Sequence, residues 1–445
     1  MASNPTRLNS EFGLGGVAPP VRRVAILGVG QMGLVCAGVL GQGGRPSQGA
    51  PEVTMWSHAL DEAGELTQTR RSPRLPNFEL ADSVRVTADL GRAVQGADLI
   101  VSAIPVQFTR SVWEQFAAGH GLRAALPPGA GVVSVAKGIE NRTLLRPTQV
   151  IADALKDDPD SRPRPLAVLS GPTIASELAR GLPATMIAAS DDRAFAELVQ
   201  RLFSTPTLRI YTHEDVLGVE LAGALKNVIA IAAGVLDGLS AGYNAKSALL
   251  ARGLAEITRL GVAMGAASDT FFGLAGVGDL ATTCFSPEGR NRSCGEALGR
   301  GVALETYLKG RQSVVEGVAT TRSVMDLAAK YKVEMPIVSA VHAVLFEGVD
   351  PIDAIGRLMA RSQKAERVRR LPRRRKGRPT ACGSRTTVDG RAGFIPDAEP
   401  PRPAAALPRS PREMRPWTST PAPVSTGLSP CRSSGAWGSS ARARA

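Results

Sequence analysis

Val24-Ala25-Ile26-Leu27-Gly28-Val29-Gly30-Gln31-Met32-Gly33 is the stretch that decides the fold. Four consecutive apolar residues ending at a glycine suit a central parallel strand covered on both faces. The next six residues form G-x-G-x-x-G, and a helix is expected from about Gln31 to Leu40. In a chain with 47 glycines the motif alone is weak. A strand directly before it and a helix directly after it supply the context that a dinucleotide site requires. Gly28 would permit the tight turn, Gly30 would let the backbone approach a pyrophosphate, and Gly33 would let helix and strand pack closely. The phosphates would then meet unpaired amides at the helix start.

Further strands are expected at Val53 to Trp56, Leu99 to Ile104, Gly131 to Ser134 and Leu166 to Leu169, with helical segments between them. That alternation is the signature of an α/β fold, a Rossmann-type doubly wound parallel sheet. It predicts a dinucleotide-binding domain over residues 22–211. The Gly-, Gln-, Pro- and Ser-rich stretch Gly41 to Pro51 reads as a loop. From 212 to 368 the periodicity is that of long helices, which predicts a second, mostly α-helical domain for substrate and catalysis. At 445 residues the chain has room for both.

The formal charge of +13 invites a nucleic-acid reading, but 19 of the 53 Lys/Arg and 5 of the 40 Asp/Glu fall from residue 361 onward. The preceding 360 residues are therefore at a net −1, and the basicity belongs to the tail. Residues 369–445 are rich in Arg, Pro, Ala, Ser and Gly, and 12 of the 32 prolines follow residue 368. Such a segment buries too little surface to offset its ordering entropy, so disorder is expected. The same composition is what GC-rich codons give when read out of frame. Its aromatics are only Phe394, Trp417 and Trp437, which argues against stacking on nucleic-acid bases.

Cys36, Cys284, Cys294, Cys382 and Cys431 are odd in number and lack any C-x-x-C pair, so neither a disulfide framework nor a metal site is suggested. The first 20 residues hold no apolar run of the kind a secretory signal needs. Uninterrupted apolar stretches such as Val228 to Leu236 read as buried helix rather than membrane span. A cytoplasmic protein with no membrane partner is expected.

Where NAD-specific sites place a carboxylate for the ribose 2′-hydroxyl, at the end of the second strand, this chain has Ser57-His58. With no carboxylate there to repel a 2′-phosphate, both NAD and NADP are admitted. His58 reads equally as a contact or as an ordinary exposed loop residue.

Polar residues recur inside apolar or glycine-rich surroundings at Pro105-Val106-Gln107, Lys137-Gly138-Ile139-Glu140, Ser170-Gly171-Pro172-Thr173, Leu225-Lys226-Asn227-Val228, Gly278-Asp279-Leu280 and Gly289-Arg290-Asn291-Arg292. Lys226 sits in the apolar run Leu221 to Leu236, where an ammonium must be paired or functional. Burial and neighbouring cations lower a lysine pKa toward neutrality, which suits it to pass a proton to or from a substrate oxygen. A structural salt bridge is the alternative. Asp279, in a glycine-bracketed turn, would stabilise Lys226, bind a substrate hydroxyl, or cap a helix. Arg290 and Asn291 offer the planar cationic fork and amide donor that grip a phosphate, although such a run taken alone reads as solvated surface.

In order and spacing these segments, with the fingerprint and Val315-Glu316-Gly317, resemble bacterial-type NAD(P)-dependent glycerol-3-phosphate dehydrogenase over residues 22 to 368. The runs Gly218-Val219-Glu220 to Ile229-Ala230 and Gly273-Leu274-Ala275-Gly276-Val277-Gly278-Asp279-Leu280 carry most of that resemblance. It implies reversible reduction of dihydroxyacetone phosphate to sn-glycerol 3-phosphate, a supply for glycerophospholipid synthesis, with NAD or NADP as cofactor and a homodimer as the assembly. It assigns Lys226 and Asp279 to catalysis, and Lys137, Gly171, Thr173, Lys226, Asp279, Gly289, Arg290 and Asn291 to substrate. Cofactor contacts would fall to Gly28, Gly30, Gln31, Met32, Gly33, His58, Lys137, Ala175, Arg290, Val314 and Glu316. Three departures stand out: Gln31-Met32 occupies the place of a Ser or Asn followed by an aromatic, Gly289 that of a serine, and the loop Gly41 to Pro51 is several residues longer than usual. A β-hydroxyacid reductase on a similar plan is the rival reading, and it would not need Arg290-Asn291. A nucleic-acid-binding or regulatory protein using the tail is another, with the polar set Lys137, Lys226 and Asp279 against it.

Overall fold

A computed structural model describes residues 20–41, 50–117, 119, 121–156, 164–310 and 314–363. The basic tail from 369 onward and most of the Gly41 to Pro51 loop lie outside the described residues. The sheet and the helices that follow it belong to one compact unit.

Eight strands form one sheet: β1 Arg23–Leu27, β2 Glu52–Trp56, β3 Arg85–Thr87, β4 Leu99–Ser102, β5 Gly131–Ser134, β6 Leu166–Ser170, β7 Ala184–Ala189 and β8 Leu208–His213. Their spatial order is β3-β2-β1-β4-β5-β6-β7-β8. Every neighbouring pair is parallel except β6 with β7, which is antiparallel. The helices that accompany the sheet are α1 Gln31–Gly41, α2 Leu60–Thr69, α3 Leu90–Val94, α4 Val106–Trp113, α5 Pro147–Leu155, α6 Ala175–Ala179 and α7 Arg193–Phe203.

β1, β4 and β5 read as unbroken apolar runs because alternate residues enter different cores. Val24, Ile26, Leu99, Val101 and Val133 pack in one cluster with Leu34 and Ala37 of α1. Ala25, Leu27, Ile100 and Val132 pack in a second with Trp113, Phe116 and Leu155. A sheet covered on both faces leaves its ligand crevice at the strand C-termini, where the strand order reverses between β1 and β4.

Three of the eight strands escape the sequence reading. β3 is only Arg-Val-Thr at the sheet edge. The alanine-rich run Ala-Thr-Met-Ile-Ala-Ala of β7 has weak strand propensity. β8 does alternate, Leu208 and Ile210 inward and Arg209 and Tyr211 outward, but over too few residues to stand out. The strand expected to reach Ile104 ends at Ser102, since Pro105 opens α4.

Beyond β8 come α8 Val216–Gly238, α9 Gly242–Ala263, α10 Asp279–Phe285, α11 Arg290–Gly299, α12 Leu304–Leu308, α13 Glu316–Tyr331, α14 Pro336–Phe346 and α15 Pro351–Met359. α8 is apolar on all sides because it is the axis of this layer. Its Leu221, Leu225, Val228 and Ile231 pack with Phe271, Leu280, Val324 and Val338. The Asp215 carboxylate starts it by accepting from the Gly218 amide at 2.8 Å. α11 then lies directly on α8. A methyl at Gly234 would stand 1.9 Å from the Arg292 carbonyl oxygen, and one at Gly295 1.9 Å from that of Ile231. This backbone-to-backbone approach brings the start of α11, Arg290-Asn291, toward the stretch of α8 that carries Lys226.

Candidate active site

The nucleotide fingerprint folds as its glycines require. Gly28 follows β1 at a φ of +113°, and a Cβ there would meet the carbonyl oxygen of Ala103, just past the end of the neighbouring strand β4, at 2.7 Å. A Cβ on Gly33 would lie 2.1 Å from the Gly28 carbonyl oxygen, so helix and turn are in contact. Around Gly30 nothing lies within 4 Å of that position. The turn thus closes on itself at two glycines and stays open at the third, in front of the N-terminal amides of α1. That is the shape a dinucleotide pyrophosphate fits. Gln31 and Met32 are half-buried at the helix start, and Ala175, half-buried, opens α6. His58 is exposed just past β2.

One finding changes the picture at the end of β2, which reads in the sequence as lacking a carboxylate. The first turn of α2 delivers one. Glu62 accepts from the Ser57 hydroxyl at 2.8 Å and from Arg74 Nε at 2.7 Å.

A second set of side chains gathers where β5, β6, α8, α10 and α11 converge. Lys226 is 5% exposed on α8. Asp279 is the first residue of α10 and wholly buried; it is a helix residue, not part of an open turn, because the wide π-helical turn Leu274–Gly278 before it, closed by the Gly278 amide on the Gly273 carbonyl, feeds straight into the helix. One Asp279 oxygen accepts from Lys226 Nζ. The other accepts from Lys137 Nζ at 2.6 Å, and Lys137 also reaches the Gly171 carbonyl at 3.4 Å. Asp279 therefore anchors the two lysines, and the helix-cap alternative is not what it does.

Thr283 completes this group. Lys226 Nζ donates to its hydroxyl at 2.6 Å, and that hydroxyl bonds back to the Asp279 carbonyl at 2.7 Å. Sequence reasoning missed Thr283, although it is i+4 from Asp279 and so shares its face once a helix begins there. Burial pushes the Lys226 pKa down to about 7; Asp279 opposes the shift, and Lys137 adds to it. An ammonium so placed exchanges its proton near neutral pH, which an ordinary lysine does not.

Arg290 is exposed at the start of α11, and its Nη1 donates to the Val314 carbonyl at 3.1 Å. Beside it the mostly buried Asn291 accepts the Gly317 amide on Oδ1 at 2.9 Å, which leaves its Nδ2 as a donor. Glu316 opens α13, and Asn227 Nδ2 donates to it at 3.5 Å. Burial raises the Glu316 pKa, while Arg290, Lys137 and Lys226 pull it back. Thr173 is half-buried behind Gly171, its hydroxyl donating to that carbonyl at 3.2 Å, and Gly289 is the N-cap residue just before α11. Among the described residues no cluster of side chains suits a metal ion.

Comparison with known proteins agrees along the chain. Residues 23–196 match the NAD-dependent glycerol-3-phosphate dehydrogenase N-terminus, and residues 215–356 match the C-terminus. Glycerol-3-phosphate dehydrogenase [NAD(P)+] 2 of Lactobacillus delbrueckii subsp. bulgaricus is 43% identical over 344 residues, 77% of this chain and 98% of that one. The protein of the same name from Salinibacter ruber is 45% identical over 344 residues, 77% of this chain and 96% of that one. The crystal structure of glycerol-3-phosphate dehydrogenase from Coxiella burnetii superposes with a TM-score of 0.70 at 33% identity, covering 77% of this chain and 100% of that one.

Proposed function

This chain belongs to the NAD-dependent glycerol-3-phosphate dehydrogenase family, and from that premise we propose how its residues divide the interconversion of dihydroxyacetone phosphate and sn-glycerol 3-phosphate. The observation that carries the reading is Lys226, an ammonium buried in an apolar helix, tied to Asp279 and Thr283 and held near a pKa of 7.

Residues 22–211 serve as the cofactor-binding domain and 212–368 as the substrate domain. Gly28, Gly30, Gly33 and the start of α1 would hold the pyrophosphate of NAD or NADP. Gln31, Met32, His58, Ala175, Val314 and Glu316 would line the rest of the cofactor. When bound, the nicotinamide supplies or takes up a hydride. In the reductive direction Lys226 Nζ gives a proton to the substrate carbonyl oxygen; in the oxidative direction it takes the proton back. Asp279 and Thr283 fix that nitrogen in place, and Lys137 adds a second positive charge beside the forming alkoxide. Arg290 and the Asn291 amide grip the substrate phosphate, with Gly289, Gly171 and Thr173 shaping the pocket. Orientation and charge are what this chain contributes.

The product would supply glycerophospholipid synthesis, and the working form would be a cytoplasmic homodimer with no membrane partner. The reading is tested by NADH and NADPH oxidation on addition of dihydroxyacetone phosphate, with unphosphorylated dihydroxyacetone alongside. Turnover that ignores the phosphate would point to a hydroxyacid-type reductase instead.

A further inference from the structure

The choice between NAD and NADP is made where the adenosine ribose lies, at the end of the second strand beside the glycine turn. In this chain the Gly28 amide donates to the Trp56 carbonyl at 2.9 Å, so the turn and the end of β2 are joined. Ser57 follows, 1% exposed, and its hydroxyl cannot itself meet the ribose. It is directed to Glu62 instead, which in turn holds Arg74. The Arg74 backbone is fastened to the glycine turn as well, since Gln31 Nε2 donates to its carbonyl at 2.8 Å. Both ends of the Glu62–Arg74 pair are thus pinned to the two elements that flank the ribose position. The pair is only partly exposed, 22% for Glu62 and 28% for Arg74, and neither side chain is spread on the open surface.

We propose that the Glu62–Arg74 ion pair reads the 2′-position of the cofactor, Arg74 taking the 2′-phosphate of NADP and Glu62 the 2′-hydroxyl of NAD. The chemistry of the two groups divides this way. A carboxylate accepts hydrogen bonds from a ribose diol and repels a phosphate, whereas a guanidinium fork matches phosphate oxygens two at a time. Neither alone would admit both cofactors. Paired, each offsets the other: the Arg74 charge lessens the repulsion of a phosphate by Glu62, and the Ser57 hydroxyl keeps Glu62 in place when a phosphate draws Arg74 toward itself. Gln31 acquires a role here too, as the brace that holds the Arg74 backbone against the start of α1. This inference rests on the dehydrogenase reading for its cofactor and concerns only which residues read the ribose.

The test is calorimetric titration of the full-length protein with two fragments, 2′,5′-ADP for the NADP end and 5′-AMP for the NAD end. R74Q is expected to weaken 2′,5′-ADP at least about tenfold and 5′-AMP less than about threefold, the loss expected for charge-assisted hydrogen bonds to phosphate. E62Q is expected to do the reverse, weakening 5′-AMP severalfold while 2′,5′-ADP binds as well or better. Should R74Q fold poorly, R74K keeps the charge without the fork and must still weaken 2′,5′-ADP measurably. Equal losses of both fragments in R74Q, or no loss of either, would overturn the assignment. Turnover of dihydroxyacetone phosphate by the wild-type protein is measured separately, so failure of the dehydrogenase reading is distinguishable from failure of this one.

Discussion

Lys137 and Lys226 hold the two oxygens of one buried carboxylate, that of Asp279. Two cations on one buried anion leave net positive charge where Lys226 and Asp279 are largely removed from water, and Coulombic effects there are stronger than at the surface. The consequence is a pH dependence whose sign can be worked out. Lys226 is down near 7, so the reductive rate, which needs its ammonium, should fall as pH rises through about 7. The oxidative rate, which needs the free amine, should rise over the same range. Asp279 draws the Lys226 pKa up and Lys137 pushes it down. D279N should therefore move the midpoint to lower pH and K137M to higher pH, whatever each does to the absolute rate. Profiles of kcat in both directions would show this, and shifts of the same sign in the two variants would refute the coupling.

Lys226→Ala should lower kcat by at least about 10²-fold, the usual scale of general acid–base catalysis, with nucleotide binding retained. Fluorescence titration with NADH checks the binding. Near-normal turnover in a folded variant would leave Lys226 as a salt-bridge residue and nothing more.

At the other end of the substrate, Arg290→Ala should weaken the apparent affinity for dihydroxyacetone phosphate by about 1.5–3 kcal/mol, the range for lost hydrogen bonds to a charged group. The discount usual for exposed ion pairs does not carry over once a phosphate covers the guanidinium. KM is the quantity to follow. Unchanged substrate and cofactor parameters would make Arg290 a surface residue.

The glycine turn separates folding from binding. A methyl at Gly33 would strike the Gly28 carbonyl at 2.1 Å, so Gly33→Ala should destabilise the fold by about 1–3 kcal/mol, the cost of overpacking. At Gly30 a methyl meets no protein atom. Gly30→Ala should therefore keep the wild-type melting temperature and lose NAD(P)H affinity. Thermal denaturation alongside cofactor titration distinguishes the two, and a destabilised but tightly binding Gly30→Ala would contradict the assigned approach of the pyrophosphate.

What the sequence makes legible follows from locality. The glycine turn, the strand before it and the helix after it are contiguous, and so are β2, β5 and β6. Lys226 stands out because a cation inside Leu221 to Leu236 violates the pattern around it. By contrast, β7 and β8 take their strand identity from pairing with each other and with β6, which short alanine-rich or edge segments do not announce. The carboxylate beside the end of β2 is hidden for a similar reason. Glu62 is five residues past Ser57, and only the first turn of α2 folds it back. Thr283 is legible only after Asp279 is known to begin a helix.

The last prediction concerns the chain beyond Arg367, which lies outside the described residues. Relatives from Lactobacillus and Salinibacter are matched over 98% and 96% of their own lengths by 344 residues of this chain. The final described helix, α15, ends at Met359 and is started by the Asp350 carboxylate, which accepts from the Ile352 amide at 2.8 Å. Just past it, Arg361 reaches back to Glu334 at 3.3 Å. Every residue assigned to cofactor or substrate lies before Gly317, and the abrupt turn to Arg, Pro, Ala, Gly and Ser begins after residue 368. A protein terminated after Arg367 should therefore keep its kcat, its KM values and its solubility. It should also lose any salt-sensitive, sequence-independent binding to nucleic acid that the basic residues confer, since that binding arises from neutralised phosphates. Steady-state kinetics and a duplex-DNA titration at two salt concentrations, run on full-length and terminated proteins, check both halves. An inactive or insoluble terminated protein would make the tail an integral part of the enzyme.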